Sequence, residues 1–203
     1  MAVITISRQF GAGGKTLGTM MAKQLGYTFV DNEIIQMVAK DAKVSPNWVE
    51  AMEKEAGGKL QKFLTKIVPK NLVDRILDDE RGYIDEEIYV ETLRKIITKI
   101  ALEDNAIILG RGSQYILQDK PDAYHLLLIA DKEYRVKFME ENYNLNPSQA
   151  INSVNSEDKR RLNLYRKFGK QDYDEPNLYH MVLNMGKISL EKACDLVETL
   201  IKS

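Results

Sequence analysis

The chain has 203 residues, 44% hydrophobic and 29% charged, with a formal net charge of −1. That content suits one α/β core with small appended lobes, and it excludes a nucleic-acid-binding surface built on bulk charge. A single cysteine excludes an intrachain disulfide and only two histidines are present, so no zinc site is expected and a reducing, cytoplasmic setting is.

The apolar run Ala2-Val3-Ile4-Thr5-Ile6 opens the chain, and a strand is expected over Val3–Ser7. Met1-Ala2-Val3 leads directly into it, and no apolar run approaches the roughly 20 residues of a membrane span, so a soluble, unprocessed chain without a membrane partner is expected. Next comes Ser7-Arg8-Gln9-Phe10-Gly11-Ala12-Gly13-Gly14-Lys15-Thr16, a glycine-rich loop between a strand and a helical pattern. Glycines let backbone N–H groups converge on an anion, and the new helix adds its dipole and unpaired donors. Lys15 supplies a cation and Thr16 a hydroxyl for Mg²⁺. Gly14-Lys15-Thr16 fits the end of G-x-x-x-x-G-K-[ST], with Gln9 in place of the first glycine. A second register reads Gly11-Ala12-Gly13 as the G-x-G of G-x-x-G-x-G-K-G-T. It sets Gly14 where the lysine belongs and Arg8 in place of the first glycine. The alternative without a ligand is an ordinary strand-to-helix turn.

Leu17, Met20, Met21 and Leu25 repeat at helical spacing, and Gly26 ends that helix. A short strand, Thr28–Val30, is followed by Asp31, which suits either a substrate hydroxyl or metal-bound water, or the N-cap of a helix starting near Glu33. From Glu33 to Asp104 no strand is evident. The helical pattern there, broken at Gly57-Gly58, Pro69 and Gly82, reads as a helical insertion. The buried strand Ala106–Leu109 leads into Gly110-Arg111-Gly112 at the carboxyl edge, where open α/β sheets bind ligands. Arg111 there clamps an anion or pairs with a nearby acid in a surface turn. Another buried strand is expected over His125–Ala130. The stretch from Asn142 to Asn177 starts a helix near Pro147 and carries Lys159, Arg160, Arg161, Arg166 and Lys167, a phosphate-neutralising cluster or a solvated face paired with Glu157 and Asp158. A fifth strand is expected over His180–Leu183. Ser189 then caps a final helix whose apolar face includes Cys194 as a core residue. His125 and His180 read as structural histidines. Strands alternating with helices make the sheet parallel.

These residues resemble a known family. The Ser7-to-Gly14 loop, Gly26, Asp31, Gly110-Arg111, the Lys/Arg-rich segment and Leu183-Asn184-Met185-Gly186 look, in order over essentially the whole chain, like the cytidylate kinase-like family. The resemblance implies an α/β fold: a three-layer P-loop NTPase core with a parallel five-stranded sheet, a helical substrate-binding insertion and a helical lid. The core would take residues about 1–32, 105–145 and 178–203, the insertion about 33–104 and the lid about 146–177. It also implies ATP and Mg²⁺ as cofactors and CMP or dCMP as acceptor. By the same resemblance Gly11, Ala12, Gly13, Gly14, Lys15 and Thr16 form the phosphate loop, with Thr16 on Mg²⁺. Arg111 holds the monophosphate, Arg160 and Arg166, with Lys159 and Arg161 beside them, act as lid arginines, Arg135 lies near the ATP base, and Asp31 is the aspartate after the second strand. True cytidylate kinases place acids on either side of their Gly-Arg pair, where this chain has Leu109 and Gly112. Met37 stands where their substrate-binding arginine would fall.

The expected chemistry is phosphoryl transfer by positioning and charge neutralisation, with small nucleotides as partners. Two other readings stay open: a kinase for another small acceptor, and a nucleotide-binding regulator with little turnover.

Overall fold

The computed structural model describes residues 2–31, 37, 79–103, 105–169 and 174–202. Five strands, β1 (Val3–Arg8), β2 (Thr28–Val30), β3 (Ala106–Leu109), β4 (Ala123–Ile129) and β5 (Met181–Asn184), form one sheet in the order β2-β3-β1-β4-β5. Every pairing is parallel. β1 is central, with Val3 opposite both Ala106 of β3 and Ala123 of β4.

The α-helices among the described residues are α1 (Gly14–Leu25), α2 (Asp79–Leu102), α3 (Ser113–Ile116), α4 (Lys132–Tyr143), α5 (Pro147–Lys167) and α6 (Leu190–Lys202). Strand side chains alternate between two covered faces. Ile4, Ile6, Ile107, Leu109, Leu126 and Leu128 pack with Leu17 and Met21 of α1 and Ala193, Cys194 and Val197 of α6. Val3, Ala106 and Ile108 pack with Tyr89, Leu93, Ile97 and Ala101 of α2 and Leu164 and Tyr165 of α5. Burial on both sides is why these strands read as unbroken apolar runs. A smaller cluster, Phe138 and Met139 of α4 with Ala150 and Val154 of α5, ties those two helices together. Among the described residues no helix is long and apolar enough to cross a membrane.

The helix boundaries follow local chemistry. Gly26 ends α1 in the left-handed conformation, φ 72°. Asn146 and Gln149 form a reciprocal capping box before Pro147, at 2.9 and 3.0 Å. Ser189 Oγ accepts the Lys192 N–H at 3.2 Å at the start of α6.

Several expectations are corrected. Gly82 does not break a helix, because the 24-residue α2 runs through it. An interior glycine costs about 1 kcal/mol, less than the burial of Tyr89, Leu93 and Ile97 returns. The same burial makes the end of the stretch read as an insertion one layer of the core. The strands shift slightly: β1 extends to Arg8, β4 spans Ala123–Ile129, and β5 spans Met181–Asn184. His180 therefore lies just before its strand and is exposed. The helix expected near Glu33 and the breaks at Gly57-Gly58 and Pro69 lie outside the described residues.

Candidate active site

The loop after β1 is built by backbone bonds to β4. Gln9 N–H donates to Leu128 O at 3.0 Å, and Ala130 N–H donates to Gln9 Oε1 at 3.1 Å. Gln9, in place of a glycine, thus anchors the loop to the neighbouring strand. Gly11 sits against α4, where a Cβ would lie 2.6 Å from Arg135 O. α1 starts after Gly13, which has φ 78°, with no side-chain cap and no acid in the first turn. Its first bond runs from Leu17 N–H to Gly13 O at 2.9 Å, so the N–H groups of Gly14, Lys15 and Thr16 have no acceptor within the helix. That is a ready anion cradle.

Beside it, at the carboxyl edge of the sheet, lies a cleft of about 340 Å³. Among the described residues Arg8, Lys15, Arg111, Arg160 and Arg161 line it, against the acids Asp31 and Glu157. A basic pocket in a chain of net charge −1 is built for anions. Phe10, Phe138, Met139 and Tyr143 add apolar and aromatic surface to the lining.

Of the residues expected at a site, Gly11, Gly13, Gly14, Lys15, Asp31, Arg111 and Arg160 meet in this cleft. Ala12 is fully buried in the core beneath the loop. Thr16 is half-buried in the first turn of α1 and does not line the cleft. Arg166 is exposed near the end of α5, away from the lining.

Arg135 is a brace under the loop. Its Nε donates to Ala130 O at 3.1 Å, and its Nη1 to Phe10 O at 3.0 Å and Asp158 Oδ2 at 2.8 Å. Asp158 Oδ1 in turn accepts Phe10 N–H at 3.3 Å. Of the acids beside the basic cluster, Asp158 thus pairs with Arg135, and Glu157 with Arg160 at 3.2 Å.

Arg111 sits between Gly110 and Gly112 in a left-handed run, itself at φ 59°. A non-glycine residue there stores strain of about 1 kcal/mol. A Cβ at Gly112 would meet the Phe168 ring at 2.6 Å, so a larger side chain does not fit.

Arg8, Ser7 and Tyr165 were not singled out by sequence. Ser7 Oγ and Tyr165 OH are 2.8 Å apart, and the Arg161 guanidinium carbon lies 5.0 Å from the Tyr165 ring centroid. Arg161 also forks onto Asp174, with Nη1 to Oδ2 at 3.0 Å. Burial opposes its charge, but Tyr165 and Asp174 prevail and raise its pKa. Arg8 is pulled below its ordinary value, first by burial and then by Arg111 and Arg161, against Tyr165 and Asp31. It stays protonated at neutral pH. The available signal for Arg8 was its place, a cation at the carboxyl end of the central strand. Tyr165 carried none, since its partners Ser7 and Tyr115 are distant in sequence.

Among the described residues no group of three or more His, Cys, Asp or Glu is arranged for a metal ion. Thr16, in the first turn of α1, and Asp31, in the cleft lining, offer oxygen donors, the hard type that Mg²⁺ takes.

A family model described as the cytidylate kinase-like family matches residues 3–187. Among solved structures, an uncharacterized protein from Eubacterium ventriosum is 20% identical with TM-score 0.68, covering 100% of this chain and 99% of that one. A shikimate kinase from Bacteroides thetaiotaomicron is 14% identical with TM-score 0.53, covering 100% and 99%. A deoxyadenosine kinase from M. mycoides, solved with bound dATP, is 14% identical with TM-score 0.51, covering 100% of both chains. These likenesses establish a kinase-like P-loop fold. No curated protein compared with the chain matches it.

Proposed function

The chain belongs to the cytidylate kinase-like family, and on that premise we propose that it transfers the γ-phosphoryl group of ATP, with Mg²⁺, to a nucleoside monophosphate, CMP or dCMP. The observation that carries this reading is the convergence in one cleft of Lys15 and the loop glycines with Arg8, Arg111, Arg160 and Arg161. Phosphoryl transfer asks for little beyond alignment of two phosphates and neutralisation of their charge, which this set supplies.

The N–H groups of Gly14, Lys15 and Thr16 and the Lys15 ammonium would hold the β- and γ-phosphates. The helix start at Gly14 favours the register in which Gly14-Lys15-Thr16 closes the motif. Thr16 Oγ1 would help hold Mg²⁺, which when bound would supply charge neutralisation. Arg111 would fix the acceptor phosphate. Asp31, at the end of β2, would orient the acceptor's hydroxyl groups. Arg160, with Arg166 brought in as the α5 region closes, would neutralise the transferring group and exclude water. Arg135 would act through the loop it braces, not through the base.

A second reading is favoured by Leu109 in the cleft wall and by Gly112 packed on Phe168. Neither offers the polar group expected to read a cytosine, and the acceptor would then be another small molecule. The test is ADP release from ATP and Mg²⁺ with CMP, dCMP, UMP, AMP and GMP as separate acceptors, beside a Lys15→Ala control. Turnover with CMP or dCMP that the control abolishes supports the first reading. No stimulation by any monophosphate, with ATP binding intact, refutes it.

A further inference from the structure

We propose that Arg8 is an acceptor-binding residue that grips the anionic group of the acceptor, so the site takes a phosphate monoester and discriminates against neutral alcohols. This rests on the phosphotransferase reading above.

The argument begins with the direction of the side chain. Arg8 ends the central strand, and its stem passes Gly14, where a Cβ would lie 3.0 Å from Arg8 Cγ. Its tip occupies the space beside Gly110, where a Cβ would collide with Arg8 Nη1. The guanidinium therefore lies in a slot that glycine leaves open at the end of β3. The phosphate loop leans the other way, since Gln9 bonds to Leu128 and Ala130 at the end of β4. Arg8 stays beside the loop at Gly14 while its tip reaches the end of β3, on the side of β1 where Arg111 and, one strand further, Asp31 lie.

Charge completes the argument. Among the described residues no hydrogen bond or ion pair is formed by the Arg8 guanidinium, although it lines the cleft. Arg135, Arg160 and Arg161, by contrast, hold Asp158, Glu157 and Asp174. An arginine cannot relieve burial by losing its proton; Asp31 in the same lining offsets part of its charge, and an anion entering the cleft supplies the hydrogen-bonding complement that the guanidinium lacks. A phosphate monoester offers two charges and a geometry that the guanidinium fork matches.

The test is isothermal titration of CMP and, separately, of Mg·ATP into the wild type, Arg8→Lys and Arg8→Gln, with a circular-dichroism melt for each. Loss of a charged fork on a phosphate corresponds to roughly a 10- to 100-fold weakening. Both variants are expected to lose CMP affinity to that extent and to keep ATP affinity within about threefold. Arg8→Lys keeps the charge and carries the test if Arg8→Gln does not fold. Unchanged CMP affinity, or ATP weakened as much as CMP, overturns the proposal. If the wild type binds no CMP, the monophosphate-kinase reading fails on its own and inorganic phosphate becomes the probe. Phosphate binding weakened in Arg8→Lys then upholds the anion site, and phosphate binding unchanged there, or absent from the wild type, overturns it.

Discussion

Asp158→Ala should loosen the phosphate loop without touching a ligand. Asp158 joins α5 to the loop twice, through Arg135 Nη1 at 2.8 Å and through the Phe10 N–H at 3.3 Å. The Arg135 side chain is 8% exposed and that of Asp158 36%, so the pair lies between a buried bridge and a surface one. Breaking a buried pair costs about 3–5 kcal/mol and an exposed pair under about 1. Arg135 keeps the carbonyls of Ala130 and Phe10 as acceptors, which lowers the penalty for its stranded charge. The Phe10 N–H loses its acceptor and adds a further fraction of a kcal/mol. A loss near 2 kcal/mol follows, read from urea unfolding midpoints at constant m-value. With residues 9–11 less fixed, the Kd for ATP should rise about tenfold, while CMP affinity should hold. A loss below about 0.5 kcal/mol together with unchanged ATP affinity would refute the idea that this clamp sets the loop.

His125 gives a pH prediction. It is 3% exposed, and burial, helped by the nearby His180, lowers its pKa to about 4. The unfolded chain takes up the proton first, near pH 6.5, so this contribution to stability is complete above that pH. It is lost as pH falls from 6.5 toward 4, by about 2 kcal/mol at pH 5. Urea midpoints at pH 7.5 and 5.0 for the wild type and His125→Gln measure it; an equal acid loss in both proteins would remove His125 as the cause. Arg160→Ala and Arg166→Ala should each lower kcat far more than ATP affinity, since lid arginines act chiefly in the closed complex. Full turnover in Arg166→Ala would confine that role to the arginines that line the cleft.

The sheet was legible because parallel strands buried on two faces leave apolar runs, and Ile107-Ile108-Leu109 and Leu126-Leu127-Leu128-Ile129 are such runs. The loop was legible because glycine, lysine and threonine at that spacing have few other uses. What sequence could not supply was geometry between distant residues. Arg135 and Asp158 both lie in helical stretches, and nothing local says that they meet under Phe10. Arg8 is legible as part of the Ser7-to-Gly14 loop and as a departure from a motif, but the room that Gly110 leaves for its tip is a contact between distant residues. Gly82 misled because a local propensity was weighed without the tertiary burial that overrides it. The basic cluster divided for the same reason: spacing along α5 gives faces, but which arginine faces the cleft depends on how α5 packs on α4.

The register of the sheet also bears on how the chain folds as it is made. β1 leaves the ribosome before the other four strands, and its partners begin only at Ala106 and Ala123. At about 5–20 residues per second, its apolar side chains and unpaired backbone groups wait on the order of ten seconds for a neighbour. Such non-local pairing is intrinsically slow and leaves the strand open to wrong partners. The Gln9 anchor cannot form before Leu128 and Ala130 exist, so a nascent chain lacks a finished loop until it has grown past Ala130. ATP can then reward only chains that have already closed the centre of the sheet.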